Sequence, residues 1–148
     1  MIRKAEIHDA LTIALLAIKL WPDHTLEDLT EEFQEILSSE QSAIFLMFTE
    51  EDAATKAIGF AQCQLRYDYV EGTNSSPVGY LEGIFMDELY RRQGYARMLV
   101  NACEQWARKM GCIEFASDCE LDNELSLAFH LQVGFVEANR IICFTKTL

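Results

Sequence analysis

Nine residues, VGYLEGIFM from Val78 to Met86, run almost without a polar side chain. A run this short and this apolar predicts a strand buried on both faces, as in a sheet covered by helices on each side. The next stretch, DELYRRQGYA, is polar and contains Gly94. Behind it the period changes. Met98, Leu99, Ala102, Cys103 and Trp106 recur at helical spacing, and Gly111 marks the stop. Ile113–Ser117 is again β-prone. Strand, glycine turn, helix and strand define a β-α-β crossover, so at least part of the sheet is parallel.

The rest of the chain extends that frame. A short strand is expected near Ile2–Ala5 and a helix over about Ala10–Leu20, ended by Trp21-Pro22. A second helix covers about Thr25–Ser38, with Leu26, Leu29, Phe33, Ile36 and Leu37 on one face. Ala43–Phe48 and Ala57–Val70 read as strands joined through EEDAATK, and Glu71–Pro77 reads as a loop. A helix over Glu124–Val133, with Gly134 at its end, precedes a last strand, Phe135–Lys146, expected to close the sheet. The prediction is a mixed α/β sheet in a single domain, residues 1–148, with antiparallel strands first and the crossover later.

Composition narrows the functions. The chain has 24 acidic and 12 basic residues and a net charge of −12, which argues against nucleic acid and for a cationic partner. Its five cysteines, Cys63, Cys103, Cys112, Cys119 and Cys143, form no CxxC and do not cluster with the three histidines. That is neither a zinc site nor a disulfide framework, and no metal is expected. No apolar run reaches membrane-spanning length and the N-terminus lacks a signal-peptide core, so a soluble, cytoplasmic protein is expected, with no membrane partner.

Against this acidic background Arg91 and Arg92 stand before Gly94 at a helix entrance. A helix N-terminus carries unpaired N–H groups and partial positive charge, and glycine lets the backbone approach a ligand closely. With two arginines and the small Ala96, the turn reads as a phosphate site, most simply for a pyrophosphate. A surface turn with two solvated arginines is the alternative.

R-x-x-G-x-A after an apolar strand, at the start of an amphipathic helix, resembles the acetyl-CoA loop of the GCN5-related N-acetyltransferases. Asn123, Phe129-His130 and Gly134-Phe135 continue the resemblance, and the element order matches over essentially the whole chain. LWPDH, YDYVEG, SSPVGYLEGIFM, GCIEFASD and GFVEANRI further resemble the aminoglycoside 6′-N-acetyltransferases, in the subgroup that forms homodimers. The resemblance implies a splayed central sheet. It also implies acetyl-CoA as donor, a cationic aminoglycoside as acceptor, and direct attack of the amine within a ternary complex.

It further implies roles for particular residues. Arg91, Arg92, Gln93, Gly94, Tyr95 and Ala96 would bind the pyrophosphate. The backbone of Ile84, Phe85 and Met86 would pair with the pantetheine arm, and Asn123 would hydrogen-bond it. Asn is also a good N-cap for the helix that follows. Glu82, a carboxylate inside an apolar strand, would bind the amine and take its proton; a structural ion pair is the other reading. Asp118 and Tyr69 complete the catalytic set and also bind substrate. Tyr69 is read on a strand with Tyr67. Trp21 and His24 would line the substrate cleft. Two positions depart from the pattern. His130 stands where a tyrosine acid is usual, and Asn139 where relatives tend to have an acid that Glu137 would replace. Acetylation of another amine (a polyamine, an amino sugar or a protein amine) and a non-catalytic acyl-CoA-binding module remain as other readings. Drug preference and dimer interface are not legible.

Overall fold

The computed structural model describes residues 1–51 and 54–148. Its elements are β1 (Ile2–Lys4), α1 (Ala10–Ala17), α2 (Leu26–Leu37), β2 (Ser42–Glu51), β3 (Ala54–Arg66), β4 (Val78–Met86), α3 (Tyr95–Lys109), β5 (Phe115–Ala116) and α4 (Glu124–Gln132). The sheet order follows the chain, β1-β2-β3-β4-β5. The first three pairings are antiparallel and β4–β5 is parallel. This is the mixed sheet that the crossover required.

Alternation along the strands sends side chains into two cores. Ile44, Leu46, Phe60 and Phe85 pack under α1 and α2, against Ile13, Ala14, Leu29 and Phe33. Ala43, Met47, Ala61, Leu81 and Met86 pack under α3, against Leu99, Val100, Cys103 and Trp106. Both faces of the sheet are therefore covered, which explains the near-absence of polar residues in β4. Thr25 caps α2 by accepting from the Asp28 N–H at 3.1 Å.

Several boundaries differ from the sequence reading. α1 stops at Ala17 and turns through Ile18–Leu20 before Trp21. β2 runs from Ser42 to Glu51 and β3 starts at Ala54, so most of the expected EEDAATK turn is strand, and its Asp52 and Ala53 lie outside the described residues. Met98 is exposed and the buried stripe of α3 shifts to Leu99, Val100, Cys103, Trp106 and Ala107. β3 ends at Arg66, not Val70. The chain turns at Val70–Thr73, where the Thr73 N–H donates to the Val70 carbonyl at 3.1 Å. Tyr67 and Tyr69 therefore sit on a loop rather than on a strand, and Tyr69 is 77 % exposed.

The largest correction is at the C-terminus. Phe135–Lys146 forms no strand and does not close the sheet. A strand needs a ladder partner, and β5, expected over Ile113–Ser117, offers two paired residues. Ile141, Ile142 and Phe144 consequently remain exposed. Among the described residues no helix is long and apolar enough to cross a membrane.

Candidate active site

The site is built around an irregularity in β4. Gln62 pairs with Gly83, but the next residue, Cys63, pairs with Leu81. Glu82 is the extra residue, a β-bulge. The bulge also shows in burial: Leu81 and Met86 face the same core although they are an odd number of residues apart. A bulge re-aims its side chain, and here it lifts a carboxylate out of an apolar strand. Both Glu82 oxygens accept from Arg66, Nε to Oε1 and Nη2 to Oε2, each at 3.0 Å. The Arg66 guanidinium carbon lies 3.4 Å from the centroid of the Tyr80 ring. Tyr80 donates its hydroxyl to Asp118 through a short hydrogen bond. Burial, and then that acceptor, push the Tyr80 hydroxyl well above the ordinary phenol range. Glu82, Arg66, Tyr80 and Asp118 are thus one connected network. Glu82 and Asp118 were expected in the site; Arg66 and Tyr80 were not.

The parallel strands part just beside this network. β4 and β5 pair only at Gly79–Phe115 and Tyr80–Ala116. Beyond that point side-chain bonds span them, from Ser117 Oγ to the Leu81 carbonyl at 3.2 Å and from the Tyr80 hydroxyl to Asp118. Ile84, Phe85 and Met86 pair with β3 on one side and have no strand on the other among the described residues. The splay expected from the resemblance is present, and it leaves backbone groups of β4 facing an open slot.

The other end of the slot is the glycine turn. Arg92 has φ of +62° and Gly94, the N-cap of α3, has φ of +85°. No atom lies within 4 Å of a Cβ built on Gly94. The glycine is therefore required by backbone conformation and not by crowding. The N–H of Arg91 donates to Glu88 and that of Met98 to Gly94, whereas the N–H groups of residues 92 to 97 have no protein partner among the described residues. Successive free N–H groups in such a turn make a nest for an anion. Arg91 itself is tied back to β4, its Nε donating to the Met86 carbonyl at 2.9 Å. Arg97 is drawn away to the Gln132 carbonyl.

The remaining expected residues divide. Trp21 rests against β4: a Cβ on Gly83 would stand 3.0 Å from its Cη2. Its ring therefore flanks the residue next to Glu82. His24 is exposed, tied by its N–H to the Trp21 carbonyl at 3.2 Å. Tyr69 makes no side-chain hydrogen bond to the network, while Tyr67 donates to Gln41 Oε1 at 2.7 Å. Asn123 caps α4, accepting from the Ser126 N–H at 3.1 Å. His130 is held at both nitrogens. Nδ1 is 2.7 Å from the Ser126 carbonyl, an acceptor, so this nitrogen carries the proton, and Nε2 is 2.8 Å from Ser117 Oγ. Asn139 donates to Glu71 at 2.9 Å, and Glu137 pairs with Arg140, which holds its carboxyl below the usual range.

Of the five cysteines, Cys119 and Cys143 are exposed. Cys63, Cys103 and Cys112 are buried, and a hydrogen bond with Cys63, followed by burial, pushes the Cys103 thiol far up. Among the described residues no group of His, Cys, Asp and Glu fits a metal ion. The arrangement is an anion nest at one end of a slot, unpaired strand backbone along it and paired carboxylates at the other end. It suits an extended anionic molecule meeting a cation.

Comparison with known proteins gives this class its family. Residues 7–135 match the model of the Acetyltransferase (GNAT) family, and the chain belongs to that family. An aminoglycoside N(6′)-acetyltransferase type 1 from Acinetobacter genomosp. 13 is 45 % identical over 127 residues, 86 % of this chain and 84 % of that one. A protein of the same name from Serratia marcescens is 42 % identical over 143 residues, 95 % of each chain. Among solved structures, aminoglycoside 6′-N-acetyltransferase AAC(6′)-Ih from Acinetobacter baumannii superposes with a TM-score of 0.91 at 37 % identity, covering 100 % of this chain and 98 % of that one. AAC(6′)-Iy in complex with the bisubstrate analogue CoA-S-monomethyl-acetylneamine superposes with a TM-score of 0.91 at 36 % identity, with the same coverage.

Proposed function

We propose that this chain is an aminoglycoside 6′-N-acetyltransferase that takes its acetyl group from acetyl-CoA and confers resistance. The observation that carries the reading is the slot between β4 and β5, with free N–H groups at residues 92 to 97 at one end and Glu82 and Asp118 at the other. Relatives named for that activity match nearly the whole chain, and one neighbouring structure is a complex with the bisubstrate analogue CoA-S-monomethyl-acetylneamine.

The donor supplies a thioester carbonyl activated toward amines. The turn Arg91–Ala96 holds its pyrophosphate. Backbone groups of Ile84, Phe85 and Met86 pair with the pantetheine arm, and a free N–H among them polarises the carbonyl. Asn123, while capping α4, lines the arm's far side. The acceptor ring lies against Trp21, with His24 and Tyr69 at the mouth, and its ammonium groups meet Glu82 and Asp118. As the nitrogen–carbon bond forms and the carbon–sulfur bond breaks, Glu82 takes the proton the amine loses, directly or through water, and CoA leaves as the thiolate, which takes its proton from solvent. Holding both reactants in one complex supplies most of the acceleration. Acetylation removes a positive charge from the drug, and with it a contact to RNA phosphate.

The chain acts as one domain, in the cytoplasm, and as a homodimer. The exposed Ile141, Ile142 and Phe144 support the dimer, since a second copy would cover them. The test is thiol release from acetyl-CoA with kanamycin as acceptor. Release that depends on kanamycin supports the reading. Release with spermidine or a peptide and not with kanamycin contradicts it.

A further inference from the structure

A second polar cluster stands at the slot, outside the Glu82 network. Its members are Ser117 after β5 and His130 on α4, both half-buried. His130 Nδ1 lies 2.7 Å from the Ser126 carbonyl, which can only accept, so the ring proton sits on Nδ1. In the neutral ring Nε2 is then a lone pair, and it lies 2.8 Å from Ser117 Oγ. Phe129 and Phe135 flank the imidazole, with ring centroids 5.5 and 5.3 Å away, so its orientation is fixed by packing as well. Ser117 Oγ also reaches the Leu81 carbonyl at 3.2 Å, which places it in the gap where β4 and β5 part. A hydroxyl, a base within hydrogen-bond reach and a third group that orients the base are the parts of an activated nucleophile.

We propose that Ser117 and His130 give the chain a second activity, hydrolysis of the acetyl thioester when no amine is bound, with Ser117 as nucleophile and His130 as its base. The inference rests on the reading that acetyl-CoA occupies the slot. On that reading the arm runs along Met86, Phe85 and Ile84 toward Glu82 and Asp118. The thioester then lies at its end, where Ser117 faces Leu81 across the gap. Ser117 Oγ bonds to the acetyl carbon and its proton passes to His130 Nε2. The carbon–sulfur bond breaks, and the thiolate takes that proton back from the imidazolium. Water next attacks the acetyl ester and gives its proton to Nε2. Acetate leaves as the ester bond breaks, and the Ser117 oxygen regains its proton from His130. The sum is thioester and water giving acetate and thiol, with the acid proton released to solvent. A free N–H of β4 polarises the carbonyl in both steps.

The experiment measures thiol and acetate formed from acetyl-CoA with no acceptor present, alongside acetyl-CoA binding by calorimetry. The full-length chain is expected to release both products in equal amount and faster than buffer. Ser117→Ala and His130→Gln are each expected to cut that rate about 100-fold, the scale of a positioned base, while still binding acetyl-CoA. If neither variant folds, the wild-type chain is treated with diisopropyl fluorophosphate, which phosphorylates activated serines. One adduct per chain, on the peptide that carries Ser117, together with loss of acceptor-free release, is then expected. No adduct there, or release that survives it, overturns the proposal. So does a rate that Ser117→Ala leaves unchanged, since water would then be attacking the thioester without the serine. A wild-type chain that does not bind acetyl-CoA overturns the donor reading and this inference together. Binding with acceptor-free release no faster than buffer overturns the inference alone.

Discussion

Glu82 owes its orientation to one extra residue in β4, and its partner Arg66 to the end of β3. Its type and place were readable, because a carboxylate within VGYLEGIFM has no reason to be there without a partner. Arg66 was not read, although it is the only charged residue between Lys56 and Asp68 and stands at the end of an apolar strand. The register that brings it to Glu82 depends on the bulge and on an irregular loop, and neither has a sequence period. Both readings offered for Glu82, ion pair and amine ligand, meet in the same side chain. Glu82→Gln is expected to lower kcat/KM for kanamycin about 100-fold while the dissociation constant for acetyl-CoA stays within about 2-fold, measured by steady-state kinetics and calorimetry. Gly94 was singled out for close approach; its φ of +85° adds a backbone requirement that no pattern of residue types displays. Gly94→Ala should cost about 1 kcal/mol in urea unfolding, the strain of a left-handed alanine, and raise KM for acetyl-CoA.

At the scale of elements, legibility followed burial. α2 and β4 lie within a residue of their expected bounds, because one has a cap at Thr25 and a clear apolar face, and the other is buried on both sides. β5 and the C-terminal stretch were misread because an apolar run states a need for cover without naming the cover. The link from β1 to α1 is fixed by a bond that no periodicity reveals. Arg3 donates to both oxygens of buried Asp9 at 2.7 and 2.8 Å, and the Glu6 N–H adds a third bond at 2.8 Å. These contacts, the Arg3 bond foremost, lower the Asp9 carboxyl from 3.8 to about 2. A folded-state pKa below the unfolded one stabilises the fold above the unfolded value, and the contribution disappears as pH falls through the folded value. Asp9→Asn should therefore lose about 1–2 kcal/mol at pH 7, allowing for solvent around Arg3. In denaturant titrations its deficit should shrink between pH 4 and pH 2, whereas a deficit that stays constant over that window would contradict the assignment.

For the whole molecule, the acidic balance, the two-faced sheet and the slot at its parallel edge act together. A net charge of −12 draws polycations in, and the splay of β4 from β5 gives the donor a route to them. For the proposed dimer, light scattering should give twice the mass of one chain, and removal of residues 135–148 should give a monomer. The central claim is that acetyl passes to the 6′ amine of a sugar held at Glu82 and Asp118. Neomycin and paromomycin test it most directly, since they differ in having an amine or a hydroxyl at the 6′ position. Thiol release from acetyl-CoA is predicted with neomycin, with the acetyl group found on the 6′ nitrogen by NMR, and no release above background is predicted with paromomycin. Equal rates with the two would contradict the account.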